Sequence, residues 1–140
     1  MDEIGHLIKQ AQHALRLQID KALNDIDLTL PQHVALSHIQ MHAGISNAEL
    51  ARQAFVTPQT MHRIVTGLEK RGLLGRQTHP QLERVIQLFL TDTGKRLLSE
   101  STKIIDAIET ESLTPFSTEE IDSFRALLRK YFAAIEGIDG

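Results

Sequence analysis

Apolar residues return at helical spacing through the N-terminal part of the chain. Between Ile4 and Ile26 they recur at steps of three and four, which predicts a long amphipathic helix that ends before Thr29. Pro31 suits the first turn of a second helix of about three turns, and Gly44 is a natural residue to stop it.

The C-terminal part carries two more helical stripes. The first begins at Thr91, reaches roughly Leu113 and is interrupted by Pro115. Ser117 followed by Glu120 is the pattern of a capping box, in which each residue satisfies a free amide of the other, so we expect the last helix to begin there.

Two shorter helices are predicted in the middle of the chain. Ser46 with Glu49 has the spacing of a capping box and opens a short third helix. Thr57 followed by Pro58 opens a fourth helix, which runs to Arg71 and stops at Gly72. A short helix, a tight turn and a second helix form a helix-turn-helix arrangement.

After Gly72 the apolar period changes from that of a helix to that of a strand. The runs Leu73–Gln77 and Arg84–Leu90 are extended in character, and the polar stretch THPQLE separates them. This predicts a β-hairpin that acts as the wing of the helix-turn-helix. The expected fold is therefore mainly α with a small β-hairpin wing.

The fourth helix has one apolar and one polar face. Met61, Val65 and Leu68 lie on the apolar stripe, which we expect to face the core. Amide, guanidinium and hydroxyl groups suit the edges of bases and the phosphates in a DNA major groove. The candidate DNA-binding residues on this helix are Gln59, Thr60, His62, Arg63, Thr66 and Lys70.

Thr57 has two interpretations that are compatible with each other. Its hydroxyl caps the free amides at the start of the fourth helix, or it lies against a DNA phosphate together with those amides. We include it among the candidate DNA-binding residues.

Charge is distributed unevenly along the chain. The formal net charge is -3, yet the segment 57–96 carries seven Lys/Arg and three Asp/Glu. The segments before and after it are acidic. A polyanion responds to local charge, so this distribution favours a nucleic-acid contact in the middle of the chain.

Other classes of chemistry find little support. The chain has no cysteine, which excludes disulfides, thiolate metal sites and a catalytic thiol. No signal peptide, membrane span or enzyme motif is recognisable, so we expect a cytoplasmic protein that is not an enzyme. His38 and His42 lie one helical turn apart but lack further ligands, and we expect no metal and no cofactor.

The runs TPQTM, LEKRGL and LTDTG, in this order and spacing, resemble the MarR family of winged helix-turn-helix transcriptional regulators. The resemblance covers nearly the whole chain. It implies a homodimer in which the terminal helices, residues 1–28 and 92–140, intertwine, and a DNA-binding lobe over 29–91. It further implies double-stranded DNA as a partner, often with a small aromatic or phenolic effector.

The resemblance also suggests roles for single residues. Arg84 falls where the family's wing carries an arginine that enters the minor groove, although Leu82 replaces the usual aspartate two residues earlier. Phe55 stands where the turn often has glycine, so we expect another turn conformation with the ring packed inward. His33 is expected to be partly buried in the core. The candidate effector-binding residues are His13, Arg16 and His33, near the expected junction of the first, second and fifth helices. The alternative is that these three residues belong to the helix surface and the packing of that junction.

Taken together, the sequence predicts an effector-responsive, sequence-specific DNA-binding repressor that acts as a homodimer on a pseudo-palindromic operator. An alternative is a helical dimer that binds a ligand or a protein without binding DNA. The acidic ends and Leu82 favour the alternative, whereas the polar face of the fourth helix and the basic segment favour DNA binding.

Overall fold

The computed structural model describes residues 3–138. Six α-helices and one hairpin follow each other in the described part of the chain: α1 (Ile4–Leu23), α2 (Leu30–Met41), α3 (Asn47–Gln53), α4 (Pro58–Lys70), β1 (Leu74–Thr78), β2 (Ile86–Leu90), α5 (Asp92–Ser112) and α6 (Thr118–Glu136). A 3₁₀ turn, Asn24–Ile26, follows α1. Two compact units are present, of which the first ends at Ile105 and the second begins at Asp106. The predicted fold class is confirmed.

The predicted helix ends depend on local hydrogen bonds, and most of them form. Thr57 Oγ1 accepts the amide of Thr60 at 3.1 Å, so the capping interpretation of Thr57 is confirmed. Ser117 and Glu120 form the complete capping box at the start of α6. Gly72, after the end of α4, has a φ of 72°, a conformation that glycine adopts without a steric penalty.

Two caps differ from the prediction. Ser46 accepts the amide of Glu49 at 3.2 Å, but the Glu49 carboxylate pairs with Arg52 at 2.5 Å instead of returning to the backbone of Ser46. The capping box predicted there is therefore only half formed. A complete one occurs where we predicted none, between Thr29 and Gln32 at the start of α2.

The first strand of the hairpin is displaced by one residue from the prediction, and the second strand begins two residues later than predicted. The two strands pair antiparallel in a register that sets Leu74 opposite Leu90 and Thr78 opposite Ile86. β2 begins at Ile86, so Arg84 lies in the turn before the strand and not within it. Ile45 forms a bridge to Leu88 on the other edge of β2, which ties the hairpin to the loop before α3.

The core of the first unit is built from side chains that α1, α2, α3, α4 and β2 turn toward each other. Its largest fully buried apolar residues are Leu23, Leu36, Ile39, Leu50, Met61, Val65, Leu68 and Leu88. Burying one such side chain contributes about 1.5–3 kcal/mol. Because three of these residues belong to α4, that helix is held firmly by its apolar face.

Phe55 contradicts the expectation of an inward-packed ring. Its φ is 59° and the residue is 84% exposed. The amide of Phe55 donates to Arg52 O and that of Val56 to Ala51 O, which is the hydrogen-bond pattern of a Schellman motif at the end of α3. Closing this motif requires the left-handed conformation at position 55 and turns the side chain toward solvent.

The strain at Phe55 should be measurable. Left-handed φ costs a residue with a Cβ about 1–2 kcal/mol, and this exposed ring buries little in return. We expect Phe55→Gly to raise the free energy of unfolding by about 1 kcal/mol, after allowance for the greater entropy of glycine in the unfolded chain. Urea denaturation at equal protein concentration measures it. Phe55→Ala is the control, since it retains the Cβ; equal stabilisation by Ala would assign the effect to the ring instead.

The start of α5 makes a close backbone contact. Gly94 approaches the strand entry so closely that a Cβ built on it would lie 2.0 Å from Leu73 O. Thr91 Oγ1 donates to Gly72 O at 2.6 Å and accepts the amide of Gly94 at 3.1 Å. These contacts fix α5 against the junction of α4 and β1.

Gly94→Ala should therefore destabilise the first unit. The backbone carbonyl of Leu73 cannot move aside without disturbing the strand entry, and overpacking of this kind costs about 1–3 kcal/mol. Thermal or urea unfolding measures the loss. Gly67→Ala is the matched control, because Gly67 also lies in a helix but a Cβ there meets nothing within 4 Å. Equal stability of Gly94→Ala and the parent protein would contradict the close contact.

Candidate nucleic-acid interface

α4 separates an anchoring face from an open polar face. Met61, Val65 and Leu68 are buried, while the opposite side of the helix is exposed. The exposed candidate residues on α4 are Gln59, His62, Arg63 and Lys70. Within the described residues these four side chains have no hydrogen-bond or ion-pair partner. Their polar groups are therefore available to a ligand that approaches from the solvent.

The two threonines at the start of this interface are already engaged with each other. Thr57 Oγ1 donates to Thr60 Oγ1 at 3.0 Å while it accepts the amide of Thr60. The Thr57 hydroxyl proton is held in the bond to Thr60, and each hydroxyl oxygen keeps one free lone pair. The pair therefore forms a polar, hydrogen-bonded N-terminus of α4.

Arg76, on β1, is a residue that the sequence analysis missed. Its Nε lies 3.1 Å from both carboxylate oxygens of Glu69, and its Nη2 lies 3.5 Å from Thr66 Oγ1. The pair with Glu69 links α4 to the wing and neutralises the only acidic side chain on α4. The hydroxyl of Thr66 thus points to the wing strand and is only partly exposed. No sequence signal joins these residues, since their contact requires the hairpin to fold back beside the helix.

The wing tip presents Arg84 to solvent. Arg84 is exposed and has no hydrogen bond or ion pair to any other residue between 3 and 138. It lies in the turn that Val85 closes by donating its amide to Leu82 O at 2.8 Å. Leu82 is 58% exposed and apolar, so it offers Arg84 no partner.

A cavity of about 310 Å³ lies between α1, α2 and the helix-turn-helix. Arg16 and Gln12 of α1 are its longest polar lining groups; the apolar lining includes Leu30, Pro31, Val34, Val56, Met61 and Ile64. Arg16 Nε lies 3.6 Å from Asp20 Oδ2, and Asp20 Oδ1 accepts the amide of Leu30. The guanidinium is therefore oriented but stays half exposed.

The other two candidate effector residues lie outside this cavity. His13 is exposed on α1. His33 is partly buried, as expected, and its Nδ1 lies 2.7 Å from the Oγ of the fully buried Ser101, which joins α2 to α5. Of the three candidates, the structure brings only Arg16 to the cavity wall.

Neither a metal-ligand cluster nor a membrane-spanning helix occurs in the described part of the chain. Among residues 3–138, no three His, Asp or Glu side chains approach each other as metal ligands would. No helix of the described chain is both long and apolar enough to cross a lipid bilayer.

Comparison with known proteins shows similarity along almost the full chain. A model of the MarR family matches residues 26–84. The HTH-type transcriptional repressor Rv2887 of Mycobacterium tuberculosis is 31% identical over 127 residues, which cover 91% of this chain and 91% of that protein.

Two crystal structures of Rv2887 are also similar to this chain. Its complex with salicylic acid has a TM-score of 0.77 at 30% identity, covering 94% of this chain and 97% of that one. Its complex with DNA has a TM-score of 0.79 at 29% identity, covering 94% and 98%.

Proposed function

This chain belongs to the MarR family of transcriptional regulators, and we propose that it represses transcription by binding a specific DNA sequence in the cytoplasm, without catalytic activity. The observation that carries the proposal is the exposed polar face of α4, on which the side chains of Gln59, His62, Arg63 and Lys70 have no hydrogen-bond or ion-pair partner within residues 3–138. The similar repressor Rv2887 has been solved in complex with DNA, which supports the same role here.

The side chains of α4 divide into base-reading and phosphate-binding groups. Gln59 suits the adenine edge and Arg63 the guanine edge, since each offers two hydrogen-bonding groups in one plane. Lys70, His62 and the hydroxyls of α4 suit phosphates, which fix the protein on the duplex. The proposed DNA-binding residues are Thr57, Gln59, Thr60, His62, Arg63, Thr66, Lys70 and, in the wing, Arg84.

The terminal helices support a homodimer. α6 has no buried residue within the chain, and α1 buries only Ile19 and Leu23. The exposed apolar residues of α6 include Phe124, Leu127, Leu128, Tyr131, Phe132 and Ile135. Monomeric proteins rarely expose so continuous an apolar surface. We assign 1–28 and 92–140 to the dimerisation region and 29–91 to the DNA-binding lobe.

A dimer determines the form of its DNA site. Two copies of α4 related by a twofold axis would enter successive major grooves, whose centres are about 34–36 Å apart. The operator is then a pseudo-palindrome with half-sites one helical turn apart. Symmetry of the protein is expected to appear as symmetry of the protected bases.

The cavity beside Arg16 suits a small aromatic carboxylate. A guanidinium binds a carboxylate with two parallel hydrogen bonds, and Pro31, Val34 and Ile64 offer apolar walls to a ring. Rv2887 has been solved with salicylic acid, a ligand of this class. Because Met61 and Ile64 belong to α4, a ligand there acts directly on the recognition helix. Such a ligand shifts DNA affinity only to the extent that it binds the DNA-binding and the non-binding conformations of the protein with different affinity.

Arg63→Ala tests the assignment of the recognition helix. We expect a loss of about 1–3 kcal/mol in binding free energy, together with relaxed preference at one base position. The duplex is selected from a random pool with the parent protein, and fluorescence anisotropy measures affinity for it and for single-base variants. Arg125→Ala is the control for the loss of one exposed positive charge. Because Arg125 lies in the proposed dimerisation region, sedimentation analysis verifies that both variants have the oligomeric state of the parent. Unchanged affinity and base preference of Arg63→Ala would contradict the assignment. If the parent protein binds no duplex from the pool, the alternative of a ligand- or protein-binding module without DNA binding is favoured.

Arg16→Met tests the effector site. This change keeps an unbranched apolar stem and removes the charged guanidinium, so salicylate binding should weaken at least about tenfold while DNA affinity without ligand is unchanged. Calorimetry measures salicylate binding, and anisotropy measures DNA release by salicylate. His13→Gln is the control on the same helix, because His13 does not line the cavity. If His13→Gln abolishes the response and Arg16→Met does not, the effector binds elsewhere.

A further inference from the structure

The wing carries Arg84 at the third position of a tight turn. The turn consists of residues 82–85, and the amide of Val85 donates to Leu82 O at 2.8 Å. Such a turn fixes the direction of its exposed side chains only as well as its own two ends are fixed. The hydrogen bonds that hold the two ends of the turn therefore determine the direction of the Arg84 side chain.

Both ends of this turn are bound to one residue, His79. At the end of the turn, Val85 O accepts the backbone amide of His79 at 2.9 Å. At the start, the amide of Leu82 donates to His79 Nδ1 at 3.1 Å, and the amide of Gln81 donates to the same nitrogen at 3.1 Å. A single residue thus closes the whole wing tip.

These bonds also define the state of the imidazole ring. A nitrogen that accepts hydrogen bonds carries no proton, so a neutral His79 must carry its proton on Nε2. Nδ1 lies three bonds from Cα, as does the side-chain oxygen of Asn or Asp. His79 therefore makes the turn-forming bonds to following amides that Asn and Asp make in other loops.

We propose that His79 is a positioning residue of the wing: its Nδ1 organises the turn so that Arg84 is held ready to enter the DNA minor groove. This inference rests on the proposed function, because it assumes that Arg84 contacts DNA. His79 acts through Arg84 and not by its own contact. Without the acceptor, the amides of Gln81 and Leu82 would bond to water, and Arg84 would have to be ordered at the moment of binding.

Two substitutions separate this role from a direct contact. His79→Asn places an oxygen at the position of Nδ1 and removes Nε2, whereas His79→Gln keeps a polar atom near Nε2 and removes the acceptor. We expect the Asn variant to bind the selected duplex within about twofold of the parent. We expect the Gln variant to lose about five- to tenfold in affinity, which is also the loss expected for Arg84→Ala. Fluorescence anisotropy measures each affinity.

The double variant provides the decisive comparison. If His79 acts only through Arg84, adding His79→Gln to Arg84→Ala causes no further loss of affinity. A further loss in that background, or an Asn variant as weak as the Gln variant, would overturn the proposal in favour of a direct contact by Nε2.

Nuclear magnetic resonance tests the same bonds in the free protein. The ring ¹⁵N shifts should report a proton on Nε2, and the amides of Gln81 and Leu82 should exchange more slowly in the parent and in His79→Asn than in His79→Gln. Equal exchange in all three proteins would overturn the proposal. If the amides of Gln81 and Leu82 exchange slowly but Arg84→Ala binds DNA with normal affinity, the proposed contact of Arg84 with DNA is overturned. The hydrogen bonds of His79 to the turn would then still stand.

Discussion

The burial of one face of α4 is the constraint on which the rest of the structure depends. Met61, Val65 and Leu68 are almost completely inaccessible, and their spacing of four and three residues fixes the rotation of the helix about its axis. Once that rotation is fixed, the opposite face must point to solvent. The polar surface is therefore a consequence of the core. A substitution in the buried stripe would alter the presentation of every polar residue on the helix.

Helix ends could be predicted from the sequence because their hydrogen bonds join residues three to five positions apart. Thr57, Gly72 and the pair Ser117–Glu120 are examples. Where two local partners compete, the pattern alone could not decide: Glu49 has the spacing for a capping box, but Arg52 is close enough to take its carboxylate. The left-handed Phe55 was also missed, since closure of the α3 turn determines its φ against the preference of the residue.

The site was predictable to the extent that it lies on one helix. All α4 candidates follow from helical periodicity, whereas Arg76 meets Glu69 only after the hairpin has folded back. The effector candidates show the same limit. Sequence position put His13, Arg16 and His33 near one junction, but only tertiary packing assigns Arg16 to the cavity and His33 to Ser101. Contacts between distant segments carry the information that a periodic pattern lacks.

Electrostatics reconciles an acidic protein with a polyanionic partner. The net charge of -3 arises mainly from the C-terminal part of the chain, while α4 carries a single acidic residue, Glu69. Arg76 binds both oxygens of that carboxylate, so the negative charge nearest the recognition face is compensated. At physiological salt the Debye length is about 8 Å, and distant acidic residues are largely screened from a phosphate at this face. Local pairing, more than net charge, thus determines what the approaching duplex encounters.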